Sequence, residues 1–236
     1  MPGQESREVF ITGEQFAEMC SFIREISFLQ LCKVAYETGA RPQEMLHIEA
    51  RHFDEKNSRW IFPPSEAKGK KKPRIIYLST YAKKVTADLA KKFPRGKLFR
   101  NINDLAWTTD AVNCAFTRLQ LRMGQATMKA RQISIESLLP AELKRADDVP
   151  VSSVEKLSKS QRRKIANRAI ARFAIKGSLY ALRHSWATRA LQSGLDALTV
   201  AIFLGHNDPS TLAKVYQHLS HQPEHLLSQM QKVPGC

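Results

Sequence analysis

Hydrophobic positions recur along this chain with two different periods, and the change of period divides it into elements. A spacing of about 3.6 residues, typical of amphipathic helices, dominates. It predicts helices over Thr12–Gly39, Pro42–Phe53, Tyr81–Phe93, Asp110–Met123, Lys156–Lys176, Tyr180–Gln192, Ala197–Leu204 and Ser210–Leu219. Residues 125–154 have weak periodicity and contain prolines, which favours an irregular segment with room for one short helix.

The period changes to two in the segment between the second and third of these helices. RWIFPP (Arg59–Pro64) and RIIYLS (Arg74–Ser79) are short, rich in β-branched and aromatic residues, and joined by the basic stretch SEAKGKKKP. This pattern predicts a β-hairpin. The predicted fold class is therefore α+β and mainly α, with a small antiparallel sheet or hairpin.

The charge of the chain indicates a polyanionic partner. Its 236 residues are 43% hydrophobic, which is typical of a globular protein, but they carry 37 Lys and Arg against 22 Asp and Glu, a net charge of +15. A surplus of this size costs self-repulsion, and a nucleic acid offsets it. An anionic membrane surface and a merely solvated basic surface are the alternatives.

Cysteine and histidine usage predicts neither a metal site nor a disulfide framework. Four cysteines lie far apart: Cys20, Cys32, Cys114 and Cys236. The histidines His218, His221 and His225 have no carboxylate or cysteine partner nearby. No leader peptide and no apolar run near the roughly 20 residues of a membrane span is evident, so a cytoplasmic protein without membrane association is expected.

Two clusters hold candidate phosphate chemistry. In TGARPQE, Arg41 stands at a helix start, where its guanidinium and free backbone N–H groups can hold a phosphate. A surface arginine after a loop glycine fits the same stretch. In AKGKKKPR, a lysine at the hairpin turn can donate a proton to a leaving oxygen, and Lys68 is best placed because Gly69 allows a tight turn. A generic charged turn is the alternative there.

A third cluster joins YALRHSWATRAL to LGHNDPSTLAKVYQHL. It places Arg183 and His184 on a helix, His206 in a glycine-marked turn and Tyr216 in the following helix. The phenol of Tyr216 is available as a nucleophile, although a lone tyrosine in a helix usually serves packing. By itself this cluster leaves both interpretations of Tyr216 open.

In this order the clusters resemble the tyrosine recombinase (phage integrase) family. The resemblance runs from Thr38 to Leu219 and comprises TGxRxxE, a lysine hairpin, LRHxxAT, LGH and a tyrosine. It implies the family's helical catalytic domain, over about residues 12–219, and an enzyme that cleaves and rejoins DNA. In that family a tyrosine attacks a DNA phosphodiester, forms a 3′-phosphotyrosyl bond and frees a 5′-hydroxyl, without metal, ATP or another cofactor.

The resemblance assigns a catalytic role to each matching residue. Arg41 and Arg183 would clamp the non-bridging oxygens of the scissile phosphate, whose pentacoordinate transition state carries extra negative charge. Lys68 would protonate the leaving 5′-oxygen. His206 would bond the phosphate or assist proton transfer, and Tyr216 would be the nucleophile.

The sequence departs from the family pattern at two places. Tyr180 stands where the family usually has a histidine; its phenol can donate a hydrogen bond but is a poor base at neutral pH, which implies a positioning role. The stretch 121–179 is unusually long and contains a basic amphipathic helix. Residues expected to contact DNA lie in the hairpin turn and on this helix: Lys70, Lys71, Lys72, Arg74, Lys164, Arg168 and Arg172.

The resemblance also implies an organisation and partners. TGxRxxE begins at residue 38, so a single catalytic domain over 1–236 is expected, without the N-terminal core-binding domain of the family. The expected partner is double-stranded DNA, bound by a homo-tetramer on paired sites, with a nucleoid-associated location. Residues 222–236 are a candidate tail for docking on a neighbouring subunit, and the isolated chain is expected to be a monomer.

Two other functions compete with recombination. A type IB topoisomerase shares the arginine, lysine, histidine and tyrosine set, and would relax supercoiled DNA without exchanging strands between two sites. An inactive DNA-binding module would keep the basic surface without the chemistry. The LRHSWAT helix and the LGH turn favour the recombinase.

Overall fold

The computed structural model describes residues 10–69, 71–145 and 153–205. The helices are α1 (Gly13–Ser21), α2 (Ile26–Thr38), α3 (Pro42–His47), α4 (Thr80–Lys92), α5 (Thr109–Ala130), α6 (Ile135–Lys144), α7 (Lys159–Ala171), α8 (Leu179–Gln192) and α9 (Ala197–Leu204). Single 3₁₀ turns lie at Ala50–His52 and Val154–Lys156. The strands are β1 (Phe53–Asp54), β2 (Arg59–Phe62) and β3 (Arg74–Tyr77). The predicted mainly α, α+β class with a small antiparallel sheet is confirmed.

The chain divides into two compact units. Among the described residues, unit 1 contains Glu25–Thr109 and 179–205, and unit 2 contains Ile11–Arg24 and the described part of Asp110–Ser178. In the part of the chain that the structure describes, no helix has the length and apolar character to cross a bilayer. The single catalytic domain expected over the whole chain, with 121–179 as an insertion, stays a prediction.

The predicted hairpin is confirmed as β2 and β3. The two strands pair antiparallel, with Trp60 opposite Ile76 and Ile61 opposite Ile75. Alternate side chains face the core, so Trp60 and Ile76 are buried while Ile61 and Ile75 are half-buried. The Trp60 indole N–H donates to Thr86 Oγ1 of α4 at 3.2 Å, which satisfies its polar atom inside the core.

The helix predicted over Pro42–Phe53 is wrong in its second half, because α3 ends at His47. Ile48 takes an extended conformation, φ −60° and ψ 133°, and its carbonyl accepts the Leu98 N–H at 2.8 Å. The chain then passes through a 3₁₀ turn into β1, an unpredicted third strand that pairs with β2. A backbone bond from a distant segment therefore overrides the local helical pattern.

The single helix predicted over Thr12–Gly39 is also wrong, since α1 and α2 are separate helices. Thr12 caps α1 as predicted, through its side-chain oxygen. At the other end the Phe22 carbonyl accepts a hydrogen bond from Arg122 Nε of α5 at 3.0 Å. The Phe22 carbonyl thus bonds a side chain of α5 instead of an N–H group of a further helical turn. Residues 22–25, between α1 and α2, include no glycine or proline that would indicate the end of the helix.

The packing of α2 on α8 forms much of the unit 1 core. The buried side chains from these helices include Phe28, Leu31, Val34, Leu182 and Leu191. Gly39 closes α2 with φ 62°, and a Cβ at this position would lie 2.8 Å from Trp186 Cδ2 of α8. Glycine is required there for both the left-handed backbone and the close approach, which brings the end of α2 directly onto α8.

Unit 2 contains α5 and a helical hairpin of α6 and α7. The helix α6 accounts for the short helix expected in residues 125–154, while α5 runs on to Ala130 instead of ending at Met123. Leu139 and Leu143 of α6 pack with Ile165 of α7. The predicted basic helix is confirmed as α7, which is shorter at both ends than expected.

Candidate active site

Arg41 stands at the N-cap of α3, directly after the turn that closes α2. It has an extended backbone, φ −66° and ψ 149°, and Pro42 opens the helix behind it. The Arg41 N–H donates to Glu44 Oε2 at 2.6 Å, and Arg41 Nη1 donates to Glu44 Oε1 at 2.9 Å. The glutamate of TGARPQE therefore holds both the backbone and the guanidinium of the arginine.

Arg183 extends from α8 to the C-terminal ends of two other helices. Its Nη1 donates to the Gly39 carbonyl at 2.7 Å, and its Nη2 donates to the Leu204 carbonyl at 2.7 Å. Gly39 closes α2 and Leu204 ends α9, where carbonyl groups lack helical partners and carry the negative end of the helix dipole. The guanidinium is therefore oriented by two helix ends.

Leu204 and Gly205, at the end of α9, join Arg41 to Arg183. The Gly205 carbonyl accepts a hydrogen bond from Arg41 Nη2, so the two arginines bond to adjacent carbonyls of one helix end. Gly205 has φ 64°, and a Cβ there would lie 2.9 Å from Arg74 Nη1. Glycine thus allows the end of α9 to lie directly against the arginines.

Arg74 is buried at the start of β3, with 7% of its surface exposed. Its Nε donates to Glu44 Oε1 at 3.0 Å, and its Nη1 donates to the Ile75 carbonyl at 2.9 Å. Its Nη2 is buried and has no hydrogen-bond partner among the described residues. Arg74 therefore belongs with Arg41 and Arg183, and these three residues are called the arginine cluster. The expected contact of Arg74 with DNA stays a prediction.

The electrostatics of the arginine cluster favour an anionic ligand. Burial raises the pKa of Glu44, but Arg74 and Arg41 outweigh burial and hold that pKa below its usual value. Burial, followed by the charge of Arg41, lowers the pKa of Arg183 to about 9. Arg183 therefore stays charged at neutral pH, and the three guanidinium groups outnumber the Glu44 carboxylate. A phosphate can offset this surplus through paired N–H donors.

The members of the arginine cluster differ in their access to solvent. The exposed fraction of the Arg41 side chain is 21%, compared with 8% for Arg74. Arg183 is buried. Arg41 is therefore the most accessible member of the arginine cluster to a ligand that approaches from solvent.

Tyr180 lies one helical turn before Arg183 on α8 and is 60% exposed. Its ring meets the His184 ring edge-on, with the centroids 4.3 Å apart. The phenol is therefore at the surface, where a ligand can reach it. Its positioning role stays a prediction.

Of the remaining predicted catalytic residues, only Lys68 belongs to the described part of the chain. Lys68 lies in the exposed connection between β2 and β3, as do Lys71 and Lys72. Three of the predicted site residues lie outside the described part of the chain: Lys70, His206 and Tyr216. The roles of these residues stay predictions, as does the candidate tail 222–236.

The predicted DNA contacts on α7 have different surroundings. Arg172 Nε donates to Glu142 Oε2 of α6 at 2.5 Å, and Arg172 Nη2 donates to Glu142 Oε1 at 3.3 Å. Lys164 is exposed and Arg168 is half-buried. Glu142 of α6 thus neutralises Arg172, one of the basic residues that were expected to contact DNA. The contacts with DNA stay predictions.

Several contributors to the site were not predicted: Glu44 and the carbonyl groups of Gly39, Leu204 and Gly205. Glu44 is visible in the sequence as the last letter of TGxRxxE, three residues after the N-cap, which is the capping-box spacing. The carbonyl groups have no such signal, because every residue has one. Which carbonyl groups bond the arginines depends on where α2 and α9 end in the folded chain.

The described residues place the chain in the mainly helical α+β class, with arginines whose oriented N–H groups suit an anionic ligand. Within that class, residues 10–223 match the model of the phage integrase family. The chain therefore belongs to the phage integrase family, and the resemblance carried by its motifs is confirmed.

Individual relatives agree with this assignment. The chain is 51% identical over 43 residues to tyrosine recombinase XerD of Lacticaseibacillus casei, a stretch that spans 18% of this chain and only 14% of XerD. Its fold is similar to that of the Tn1549 transposon integrase in complex with transposon right end DNA, with TM-score 0.61, 16% identity and coverage of 99% of this chain and 68% of that one. It is also similar to the catalytic domain of bacteriophage HP1 integrase, with TM-score 0.52, 16% identity and coverage of 96% and 95%. At these identities the solved structures establish the shared fold.

Proposed function

We propose that this chain is a site-specific tyrosine recombinase that cleaves and rejoins DNA strands by transesterification. The bonding of Arg41 and Arg183 to adjacent carbonyl groups at the end of α9 carries this proposal. Positive groups that are already oriented stabilise a phosphoryl transition state without reorganising during the reaction. Membership of the phage integrase family supports the same chemistry.

The proposed reaction replaces one phosphate ester by another. The Tyr216 oxygen attacks the scissile phosphorus, and a P–O bond to tyrosine forms as the bond to the 5′-oxygen breaks. His206 accepts the phenolic proton of Tyr216, and Lys68 gives a proton to the leaving 5′-oxygen. Arg41 and Arg183 hold the non-bridging oxygens, with Tyr180 positioning the phosphate. A 5′-hydroxyl of the partner strand then reverses these steps, so the reaction needs no metal or ATP.

Double-stranded DNA is the proposed partner, held by the basic turn and α7 and joined by a homo-tetramer of this chain on paired sites. The net charge of +15 supports a polyanion, and the similar Tn1549 integrase was solved with transposon DNA. Without DNA the chain is expected to be a monomer. Sedimentation velocity with and without a cleavable duplex measures both states; a tetramer without DNA would contradict this assembly.

Covalent capture tests the proposed chemistry even though the target site is unidentified. The full chain is incubated with nicked duplexes that contain a random central sequence, and DNA that stays attached after denaturation is amplified and sequenced. The resulting duplex, called the selected duplex, is expected to form a protein–DNA adduct on a denaturing gel with the parent protein but not with Tyr216→Phe. An adduct that persists in Tyr216→Phe, or no captured DNA at all, would overturn the proposal.

A further inference from the structure

The connection between β2 and β3 has an anchored base and an exposed tip. At its base the N–H groups of Glu66 and Ala67 donate to the Pro63 carbonyl, at 2.9 and 3.1 Å. Ala67 is buried, whereas Lys68 beside it is exposed. Lys68 is therefore the first residue beyond the anchored part of the connection.

The Glu66 carboxylate ties this base to another part of the sheet. Its Oε1 accepts a hydrogen bond from Arg51 Nη1 at 2.9 Å, and its Oε2 lies 2.9 Å from His52 Nε2. Both partners belong to the 3₁₀ turn Ala50–His52, which leads into β1. One carboxylate thus links the chain before β1 to the chain after β2.

His52 makes this link rigid, because only 2% of its side chain is exposed. Its Nδ1 accepts the Glu49 N–H at 3.0 Å, so the proton of the neutral ring lies on Nε2. Nε2 lies 2.9 Å from Glu66 Oε2, but it makes no hydrogen bond to a described residue. The Phe62 ring packs against the imidazole with the centroids 4.7 Å apart. A rotation of the imidazole would lose both the Glu49 bond and the contact with Glu66.

A proton donor must lie within hydrogen-bond reach of its acceptor, and lysine has a long flexible side chain. The backbone that carries Lys68 therefore has to be held in place by other groups. We infer that Glu66, held by Arg51 and His52, is a positioning residue that fixes the turn from which Lys68 protonates the leaving 5′-oxygen. Lys68 acts as proton donor only in the proposed function, on which this positioning role rests.

A neighbouring ion pair offers a matched control. Asp54, the last residue of β1, accepts a hydrogen bond at Oδ2 from Nε of Arg59, the first residue of β2, at 2.8 Å. This part of the same sheet does not carry Lys68. Both Asp54 and Glu66 are partly exposed carboxylates bonded to an arginine. Asp54→Ala therefore removes a comparable pair from the sheet while leaving the lysine turn intact.

Cleavage rates of the selected duplex measure how much each of the two ion pairs, Glu66–Arg51 and Asp54–Arg59, matters for the reaction. Glu66→Ala is expected to cleave about 100-fold more slowly than the parent, since displacement of a catalytic group by about 1 Å has this effect. Asp54→Ala is expected to stay within about twofold, as for other surface ion pairs. Equal rates for the two variants would overturn the inference. If Glu66→Ala does not fold, as judged by thermal unfolding, Glu66→Gln replaces it in the comparison.

A duplex with sulfur in place of the bridging 5′-oxygen distinguishes positioning from general damage. A thiolate leaves without a proton, so a defect confined to proton donation disappears. Glu66→Ala and Lys68→Ala are both expected to recover to within about tenfold of the parent, whereas Tyr216→Phe stays inactive. Recovery of Lys68→Ala alone would show that Glu66 is merely structural. Failure of Lys68→Ala to recover would remove Lys68 as the proton donor, and the positioning role with it.

Discussion

Arg183 in unit 1 and Arg172 in unit 2 each donate two hydrogen bonds to oxygen atoms, but the oxygen atoms differ in charge. Arg183 is 5% exposed and bonds two backbone carbonyls, whereas the Arg172 side chain is 53% exposed and bonds the Glu142 carboxylate. A carbonyl orients a guanidinium and leaves its net charge available, whereas a carboxylate neutralises it. The first arrangement suits an anionic ligand, and the second mainly joins α7 to α6.

The sharpest test of this comparison is the removal of each arginine in turn. Arg183→Ala is expected to slow cleavage of the selected duplex by about 1,000-fold, because an oriented positive group is lost from the transition state. Arg183→Lys should not restore the rate, since one ammonium cannot reproduce the fork that spans the Gly39 and Leu204 carbonyls. Adduct formation in single-turnover experiments measures both.

Arg172→Ala is the control for that experiment. It removes the same charge from unit 2 and should leave the cleavage rate within about tenfold of the parent, the scale of ordinary surface effects on binding. Equal losses for Arg172→Ala and Arg183→Ala would mean that overall charge, not the orientation of Arg183, sets the rate.

A smaller effect, on the free energy of unfolding, is expected from Gly205→Ala, which crowds Arg74 but leaves all three arginines in place. The new Cβ would lie 2.9 Å from Arg74 Nη1, and φ 64° costs a non-glycine residue about 1–2 kcal/mol. Gly69→Ala is the control, because Gly69 also has a positive φ, 88°, but a Cβ added there would meet no heavy atom of the described residues within 4 Å. Urea unfolding should give Gly205→Ala the larger loss of stability; equal losses would show that Arg74 yields freely.

The smallest effect concerns α7. If Lys164 and Arg168 contact phosphates, replacing both by glutamine should reduce the slope of log affinity against log salt by about 0.9 per lost contact. The pair Lys83→Gln and Lys84→Gln on α4 removes the same charge from unit 1. Fluorescence anisotropy with the selected duplex measures the slopes, and the same reduction from both pairs would contradict a specific contact by α7.

Short-range pattern predicted most of the helices and the hairpin, because periodicity is a property of neighbouring residues. It failed where a distant group intervened. Ile48 leaves the helix to accept the Leu98 N–H, and the Phe22 carbonyl accepts Arg122 Nε instead of a helical N–H. Neither partner can be inferred from the segment that it interrupts.

The candidate site divides in the same way. The resemblance carried by the motifs predicted Arg41 and Arg183 as a phosphate clamp, and the structure brings both to the end of α9. The motifs assigned Arg74 to the basic turn, yet its side chain is buried against Glu44 and Gly205. Burial depends on which elements surround a residue, and the hairpin pattern alone does not specify them.

Residue order and spacing were therefore sufficient to recognise the family and to propose its catalytic side chains. Only the folded chain selected the partners that hold them: the ends of α2 and α9 for Arg183, and His52 for Glu66. The physical reason is that side-chain identity is local, whereas the direction of a hydrogen bond depends on backbone segments that meet only after folding. Charge made this chain a candidate for binding phosphate, and tertiary packing decided which charges are oriented for that task.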